Sequence, residues 1–337
     1  MIKVVVDAMG GDYSPNVNVI GSVQAVNKID DVEVILVGDE SVLNEQLSKF
    51  TYDKARLTVL HAPEVISCND KPTEAIKTKK ESSLVKSIEL VKSSEDINAL
   101  VSIGSTGALL AGAVLKIGRI KGVKRPAFCP VFPNVKGGIV GICDSGANVD
   151  CDSLQLSQFA IMSSIYLDKT FGVKNARVAL LNNGVEEEKG DMLRKETHQK
   201  LKELHAEGKI NFVGNMESRD LLTGEIDVVV CDGFSGNVLL KSTEGTCIEL
   251  MKLIKKAFTK NLKNKLGALA LKKDVMEIKD LLDYNKHGGA VLIGASKTIV
   301  KGHGSSNEEA VFHCIEQAYN MEKNNIREAI AEAVKLS

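Results

Sequence analysis

The chain has 337 residues, 44% of them hydrophobic and 26% charged, with 43 Lys and Arg against 44 Asp and Glu. That apolar share supports a sizeable core and excludes a disordered chain, and a formal charge of -1 excludes a protein-wide cationic field for nucleic acid. Seven cysteines without a C-x-x-C pair argue against a disulfide framework or a structural zinc site, and for reduced thiols in a cytosolic compartment.

The first six residues form a short β-branched run, not a basic region followed by a long apolar one, so no signal peptide is expected. Strands are expected at 2–6, 32–37, 57–60, 99–103, 139–143, 178–181, 210–213, 228–231 and 291–293. Helices are expected at 82–92, 106–116, 153–168 and 191–205, and from 306 to about 334, the last long enough for two. The uncharged stretch 97–115 approaches membrane-spanning length. Gly104 and Gly107 interrupt it, so it reads as strand, glycine turn and helix. Val4-Val5-Val6 and Val228-Val229-Val230 are apolar on both faces, as strands covered on both sides must be. The alternation predicts an α/β fold with a doubly wound, mostly parallel sheet sandwiched by helices. With no Pro/Gly/Ser linker and no repeat, residues 1–337 read as a single α/β domain, open to division into two lobes around a cleft.

In such sheets the loops leaving the strand C-termini form the ligand crevice. Glycines and small polar residues collect at five of these junctions. Asp7-Ala8-Met9-Gly10-Gly11-Asp12 follows the first strand, and Gly104-Ser105-Thr106-Gly107 follows 99–103. Asp144-Ser145-Gly146-Ala147-Asn148 follows 139–143. Asn182-Asn183-Gly184, then Lys189-Gly190, follow 178–181, and Asp232-Gly233-Phe234-Ser235-Gly236-Asn237 follows 228–231. One such junction is an ordinary turn, since turns select Gly, Asn and Asp. Five at one end of one sheet point to a site.

Glycine turns that open onto helix N-termini leave N–H groups free to meet an anion. Ser105 and Thr106 stand where a helix begins, as caps or as part of an anion shell. Asp7, Asp12, Asp144 and Asp232 hold turns, orient partners or meet a cation. Lys189 is suited to a phosphate or a carrier group, with a solvated lysine as the alternative. His303, flanked by Gly302 and Gly304, is suited to an oxyanion or a phosphate, with an exposed structural histidine as the alternative. Cys231, beside Asp232, fits a buried strand-end thiol better than a nucleophile. The run from Gly289 to Thr298 approximates a P-loop, but its Lys-Thr pair falls two residues late; G-x-G-x-x-G, H-E-x-x-H and G-x-S-x-G do not occur. No metal and no cofactor is expected.

A second informative segment lies within 250–283. Residues 252–273 hold eight lysines, among them Lys255, Lys256, Lys260 and Lys263, and no Asp or Glu. Ile254, Phe258, Leu262 and Leu266 recur at helical spacing, and Gly267 to Leu271, including Leu269, forms a small apolar tip. A lysine face beside an apolar stripe suits an anionic membrane surface or an acidic partner. It equally suits a surface helix packed on the core or on a second subunit.

The sequence from Val6 to Pro15 resembles the opening of the PlsX family, the acyl-carrier-protein:phosphate acyltransferases of bacterial phospholipid synthesis. The likeness continues through 102–109, Arg125-Pro126-Ala127, 144–148, 183–190 and 212–215. It is densest at 227–241 and persists through Gly288-Gly289-Ala290 and His303-Gly304-Ser305-Ser306. It departs from the family pattern at Ser105, which replaces an amide, at Ser145 and at His287.

The resemblance implies that fatty acyl-ACP and inorganic phosphate give acyl phosphate and free acyl carrier protein, without a cofactor. It implies a fold like phosphotransacetylase and the isocitrate/isopropylmalate dehydrogenase group, and a homodimer. It also implies work at the cytoplasmic membrane face, where a membrane glycerol-3-phosphate acyltransferase takes the product. Lys189, Asn148, Asn183, Asp232 and His303 are then the expected catalytic residues. Asp7, Gly10, Gly11, Asp12, Gly104, Ser105, Thr106, Gly107, Asp144, Gly236 and Asn237 would surround the substrate. Lys255, Lys256, Phe258, Lys260, Leu262, Lys263, Leu266 and Leu269 would meet the membrane or a partner. The alternatives are an NAD-dependent decarboxylating dehydrogenase of the same fold and a non-catalytic membrane scaffold.

Overall fold

The computed structural model describes residues 1–281 and 288–335; His287 and the last two residues of segment 250–283 lie outside the described residues. In chain order the elements are β1 (Ile2–Asp7), α1 (Asn16–Lys28), β2 (Val32–Gly38), α2 (Glu40–Leu47), β3 (Leu57–His61), α3 (Pro72–Thr78), α4 (Ser83–Ser93), β4 (Ile97–Ser102) and α5 (Thr106–Gly112). There follow β5 (Ala127–Cys129), β6 (Val131–Pro133), β7 (Ile139–Cys143), α6 (Ser153–Phe171), β8 (Arg177–Leu181), α7 (Met192–Ala206), β9 (Asn211–Met216) and β10 (Val228–Val230). The last are α8 (Gly233–Thr259), α9 (Leu262–Ala270), α10 (Lys272–Leu281), β11 (Ala290–Ile293), β12 (Thr298–Lys301), α11 (Glu308–Lys323) and α12 (Ile326–Lys335).

The chain forms two compact units. The first comprises Met1–Pro130, Ile161–Asn175 and the described residues from 288 to 335; the second comprises Val131–Ala160 and the described residues from 176 to 281. The first carries a seven-stranded sheet ordered β3-β2-β1-β4-β12-β11-β5, parallel except where β11 pairs with β12 and β5. The second carries a five-stranded sheet ordered β6-β7-β10-β8-β9, parallel except for β6. The α/β class and parallel bias match expectation, but the single expected sheet is two. Pro130 stands between β5 and β6, which are edge strands of the two sheets.

The valine triplets of β1 and β10 are fully buried, in keeping with strands covered on both faces. In the second unit Phe132, Ile142, Ala179, Val229 and Leu240 join one core cluster that fixes the strand ends carrying the polar loops. Strands β5, β6 and β12 lie outside the sequence expectation. The helix expected over 106–116 is α only to Gly112, and Ala113–Ile117 forms a π-turn closed by Gly118 at φ 88°. The basic stripe is likewise broken. Asn261 caps α9 by accepting from the Asn264 N–H, so Phe258 and Leu262 fall on different helices, and the expected apolar tip lies within α9 up to Ala270.

Candidate active site

The five glycine junctions are divided between the sheets: those after β1 and β4 belong to the first unit, those after β7, β8 and β10 to the second. In the first unit Asp7 ends β1 and is buried. Its Oδ1 accepts from the Ser83 hydroxyl of α4 at 2.6 Å, and its Oδ2 from the Ser102 hydroxyl of β4 at 2.7 Å. Burial pushes its carboxyl above the usual range, and those two hydroxyls offset part of the rise. The Gly104 N–H donates to Ser102 Oγ at 3.1 Å, so Asp7 holds the turn after β4 through Ser102. Gly10 packs on this carboxylate and on Gly104: a Cβ there would stand 2.7 Å from Asp7 Oδ2 and 2.8 Å from Gly104 Cα. Gly11, at φ 101°, turns beneath Ile103, and the Asp12 N–H donates to the Gly304 carbonyl at 2.8 Å. Asn18 of α1 donates to the carbonyls of Ala8 and Gly10, which fixes the other side of this loop.

Ser105 is the N-cap of α5, accepting from the Ala108 N–H at 3.4 Å; Thr106 and Gly107 are exposed. His303 is exposed, and its Nδ1 accepts from the Ser305 N–H at 3.2 Å with Ser305 Oγ 2.8 Å away. In the neutral ring the proton is then carried on Nε2.

In the second unit Asp144 is buried at the end of β7. Its Oδ2 accepts from the Asn148 main-chain N–H at 2.6 Å and from the Asn148 side-chain amide at 2.9 Å, and its Oδ1 from the Ala147 N–H. The Asn148 carbonyl in turn accepts from the Gly233 N–H at 2.7 Å, which joins this loop to the start of α8. Gly236 is required here because a Cβ would strike the Asp144 carbonyl. Asn237 donates to the Ser145 carbonyl at 3.1 Å.

Asp232 is the N-cap of α8, accepting from the Ser235 N–H at 2.8 Å. Its Oδ2 also accepts from Arg194 and from the Ser235 hydroxyl. The same guanidinium donates to Asp191, the N-cap of α7, at 3.0 Å. Arg194 thus ties the N-termini of two helices through their capping carboxylates.

The loop between β8 and α7 is closed by Asn182, which donates to the Lys189 carbonyl at 3.1 Å. Gly190 makes the turn at φ 86° against Asn182 and Arg194. The Lys189 stem lies over Gly184, where a Cβ would stand 2.9 Å from its Cγ. Lys189 and Asn183 are exposed. The buried His198 ring, through Nδ1, lies 2.9 Å from Asn215 Oδ1, and Asn215 donates to the Glu186 carbonyl. Because Oδ1 can only accept, Nδ1 is the protonated nitrogen.

Arg194, Ser83, Ser102 and His198 were not among the expected site residues. Arg194 alone carried a local signal, standing three residues after a helix cap. Ser83 is 76 residues from Asp7 in sequence. The buried Cys231 thiol donates to the Asp144 carbonyl at 3.3 Å, and burial beside Asp232 and Asp144 pushes its pKa well above the ordinary thiol value. The lysines at 255, 256, 260 and 263 and Leu262, Leu266 and Leu269 are exposed, Phe258 is half-buried, and α9 buries no residue. The reading in which this stripe packs on the chain's own core is therefore set aside. Among the described residues, no helix is long and apolar enough to cross a membrane.

Solved structures define the fold as that of the phosphotransacetylases. A phosphotransacetylase from Streptococcus pyogenes superposes with a TM-score of 0.59 at 16% identity over 95% of this chain and 94% of its own. EutD phosphotransacetylase from Staphylococcus aureus gives 0.58 at 16% identity over 98% and 94%. The sequence profile described as "Fatty acid synthesis protein" matches residues 2–329. A protein named phosphate acyltransferase from Clostridioides difficile strain 630 is 42% identical over 99% of this chain and 96% of its own. Another of that name, from Alkaliphilus oremlandii, is 45% identical over 99% and 97%. The chain belongs to this fatty acid synthesis family, the PlsX family of phosphate acyltransferases, and is an acyltransferase enzyme.

Proposed function

We propose that this protein transfers the acyl group of an acyl carrier protein thioester to inorganic phosphate, giving acyl phosphate and free carrier. One observation carries the direct form of the reaction. The Asp144 and Asp232 carboxylates are spent on Asn148, Ser235 and Arg194, and the neighbouring Cys231 thiol is buried and held protonated. Among the groups that the loops of the second unit turn outward are an ammonium and an amide, Lys189 and Asn183.

Such groups suit phosphate chemistry. A phosphate oxygen attacks the thioester carbonyl carbon, the carbonyl oxygen becomes an oxyanion, and its collapse breaks the C–S bond. The carrier leaves as a thiolate, whose parent pKa of about 8.5 lets solvent supply the proton. Phosphate is largely anionic at neutral pH and needs no strong base, so alignment and donors for the oxyanion carry most of the rate. In this reading Lys189, Asn148 and Asn183 position phosphate and thioester, while Asp144, Asp232, Gly236 and Asn237 shape the loops that hold them. Gly104 to Gly107 and His303 are assigned to phosphate or oxyanion contacts, and Asp7, Gly10, Gly11 and Asp12 support that turn. The chain works as a homodimer at the cytoplasmic membrane face, and a membrane glycerol-3-phosphate acyltransferase consumes the product in phospholipid synthesis. Segment 250–283 meets lipid, the acidic carrier or the second subunit. Family membership favours this reading over a decarboxylating dehydrogenase or a scaffold.

The test is incubation with palmitoyl-ACP and phosphate, with acyl phosphate trapped as a hydroxamate by hydroxylamine. Hydroxamate that forms only when phosphate is present is expected, and none would defeat the proposal.

A further inference from the structure

Single exposed apolar residues need no explanation, whereas a gathered set marks a contact surface. Five gather on the loops and helix starts of the second unit that carry its polar residues. Val149, Val185, Met192, Phe234 and Val238 are 64%, 59%, 76%, 64% and 51% exposed. Each lies within two residues of Asn148, Asn183, Arg194, Asp232 or Asn237. The same hydrogen bonds tie together the segments that carry four of them. The Gly233 N–H on the Asn148 carbonyl joins the backbone next to Val149 to that next to Phe234, and Arg194 on Asp232 and Ser235 ties the start of α7, where Met192 lies, to the start of α8. Phe234 and Val238, four residues apart, share one face of α8.

We propose that Phe234 and Val238, flanked by Val149 and Met192, hold the alkyl chain of the acyl substrate and set its length preference. This rests on the phosphate acyltransferase reading. The alkyl chain is bonded to the carbon that phosphate attacks, so its first carbons must run past whatever side chains adjoin the groups holding the thioester. Around Asn148 those are Val149 and, across the Gly233 hydrogen bond, the α8 face of Phe234 and Val238. Each methylene that leaves water against them strengthens binding, by about fourfold at full burial and less where the covering is partial, so longer chains gain more.

The experiment measures phosphate-dependent hydroxamate formation from butyryl-ACP and palmitoyl-ACP by the full chain. Replacing Phe234→Ser and Val238→Ser together is expected to lower the palmitoyl-to-butyryl ratio of kcat/KM at least tenfold. Phe234→Leu, which keeps apolar area, is expected to retain the ratio, and both variants should keep the wild-type mass by light scattering. An unchanged ratio in the double variant overturns the proposal. So does conversion of a wild-type dimer to monomers by the double variant, which would make this face a contact with a second copy. A wild type that forms hydroxamate from neither thioester overturns the phosphate acyltransferase reading itself, and the alkyl-chain assignment with it.

Discussion

The Asp144 carboxylate accepts twice from Asn148, once from its main-chain N–H at 2.6 Å and once from its side-chain amide at 2.9 Å. A buried acid is thereby spent on aiming one amide. The carboxylate fixes both the main chain and the side chain of Asn148.

Asn148→Ala and Lys189→Ala should each lower hydroxamate-forming turnover at least tenfold, an effect of about 1.4 kcal/mol or more on the transition state. Steady-state kinetics at saturating phosphate measure this. Near-wild-type kinetics in both would remove the two residues from the mechanism.

Arg194→Ala leaves the exposed Asp191 and the buried Asp232 carboxylate without their shared cation. Loss of a charge-assisted bond to a buried group costs about 2 kcal/mol, and urea unfolding should show a loss of that size. Arg194→Lys should recover only part of it, since an ammonium cannot span both carboxylates as a planar fork does. Full recovery by lysine would show that charge alone matters.

Two carboxylates, Asp7 buried and Asp227 half-buried, give opposite pH signatures. Burial raises Asp227, but hydrogen bonds from the Arg177 guanidinium and main-chain N–H outweigh it and hold the carboxyl below its ordinary value. Its stabilising contribution is present above the unfolded pKa of about 3.9 and is lost as pH falls through the lower folded value. Asp7 is raised by burial, so the folded state holds its proton more tightly. The stability linked to that proton is present below about pH 3.9 and is lost as pH climbs through the raised folded value. Relative to wild type, Asp227→Asn should therefore lose least in acid, and Asp7→Asn should fare better as pH rises above 4. Denaturation midpoints from pH 3 to 7 measure both slopes, and parallel curves for the two variants would contradict the assignment.

Cys231→Ser should keep phosphate-dependent activity within a few-fold of wild type, because the thiol is buried and protonated, and its hydrogen bond to the Asp144 carbonyl can be made by a hydroxyl. Mass spectrometry after incubation with acyl-ACP alone should find no acyl-cysteine. An isolable adduct at Cys231 would replace direct attack by a two-step path.

Neutralising Lys255, Lys256, Lys260 and Lys263 together should weaken flotation with vesicles rich in anionic lipid. Each basic residue near such a surface contributes about 1 kcal/mol, and added salt should have a similar effect. Unchanged flotation would assign the basic segment at the end of α8 and the start of α9 to a protein contact instead.

Much of the fold was legible in the sequence. Residues 139–143 form a strand as expected, the valine triplets are buried, and Asp191 precedes a helix that it caps. These features are local: a β-branched run, a glycine after a strand and a capping aspartate act over a few residues. The glycine junctions were legible for the same reason, since positive φ at Gly11 and Gly190 requires that residue type.

What only the tertiary structure decided is how the junctions are shared and what their acids touch. The division into two sheets depends on which strands pair, and pairing joins β12 to β4 across almost 200 residues. The Asp7 oxygens accept from Ser83 and Ser102, and those of Asp232 accept from Arg194 and Ser235. A carboxylate's residue type states that it must be satisfied once buried, because an unpaired charge away from water is costly. Which partner satisfies it depends on packing between elements distant in sequence, and no local pattern encodes that.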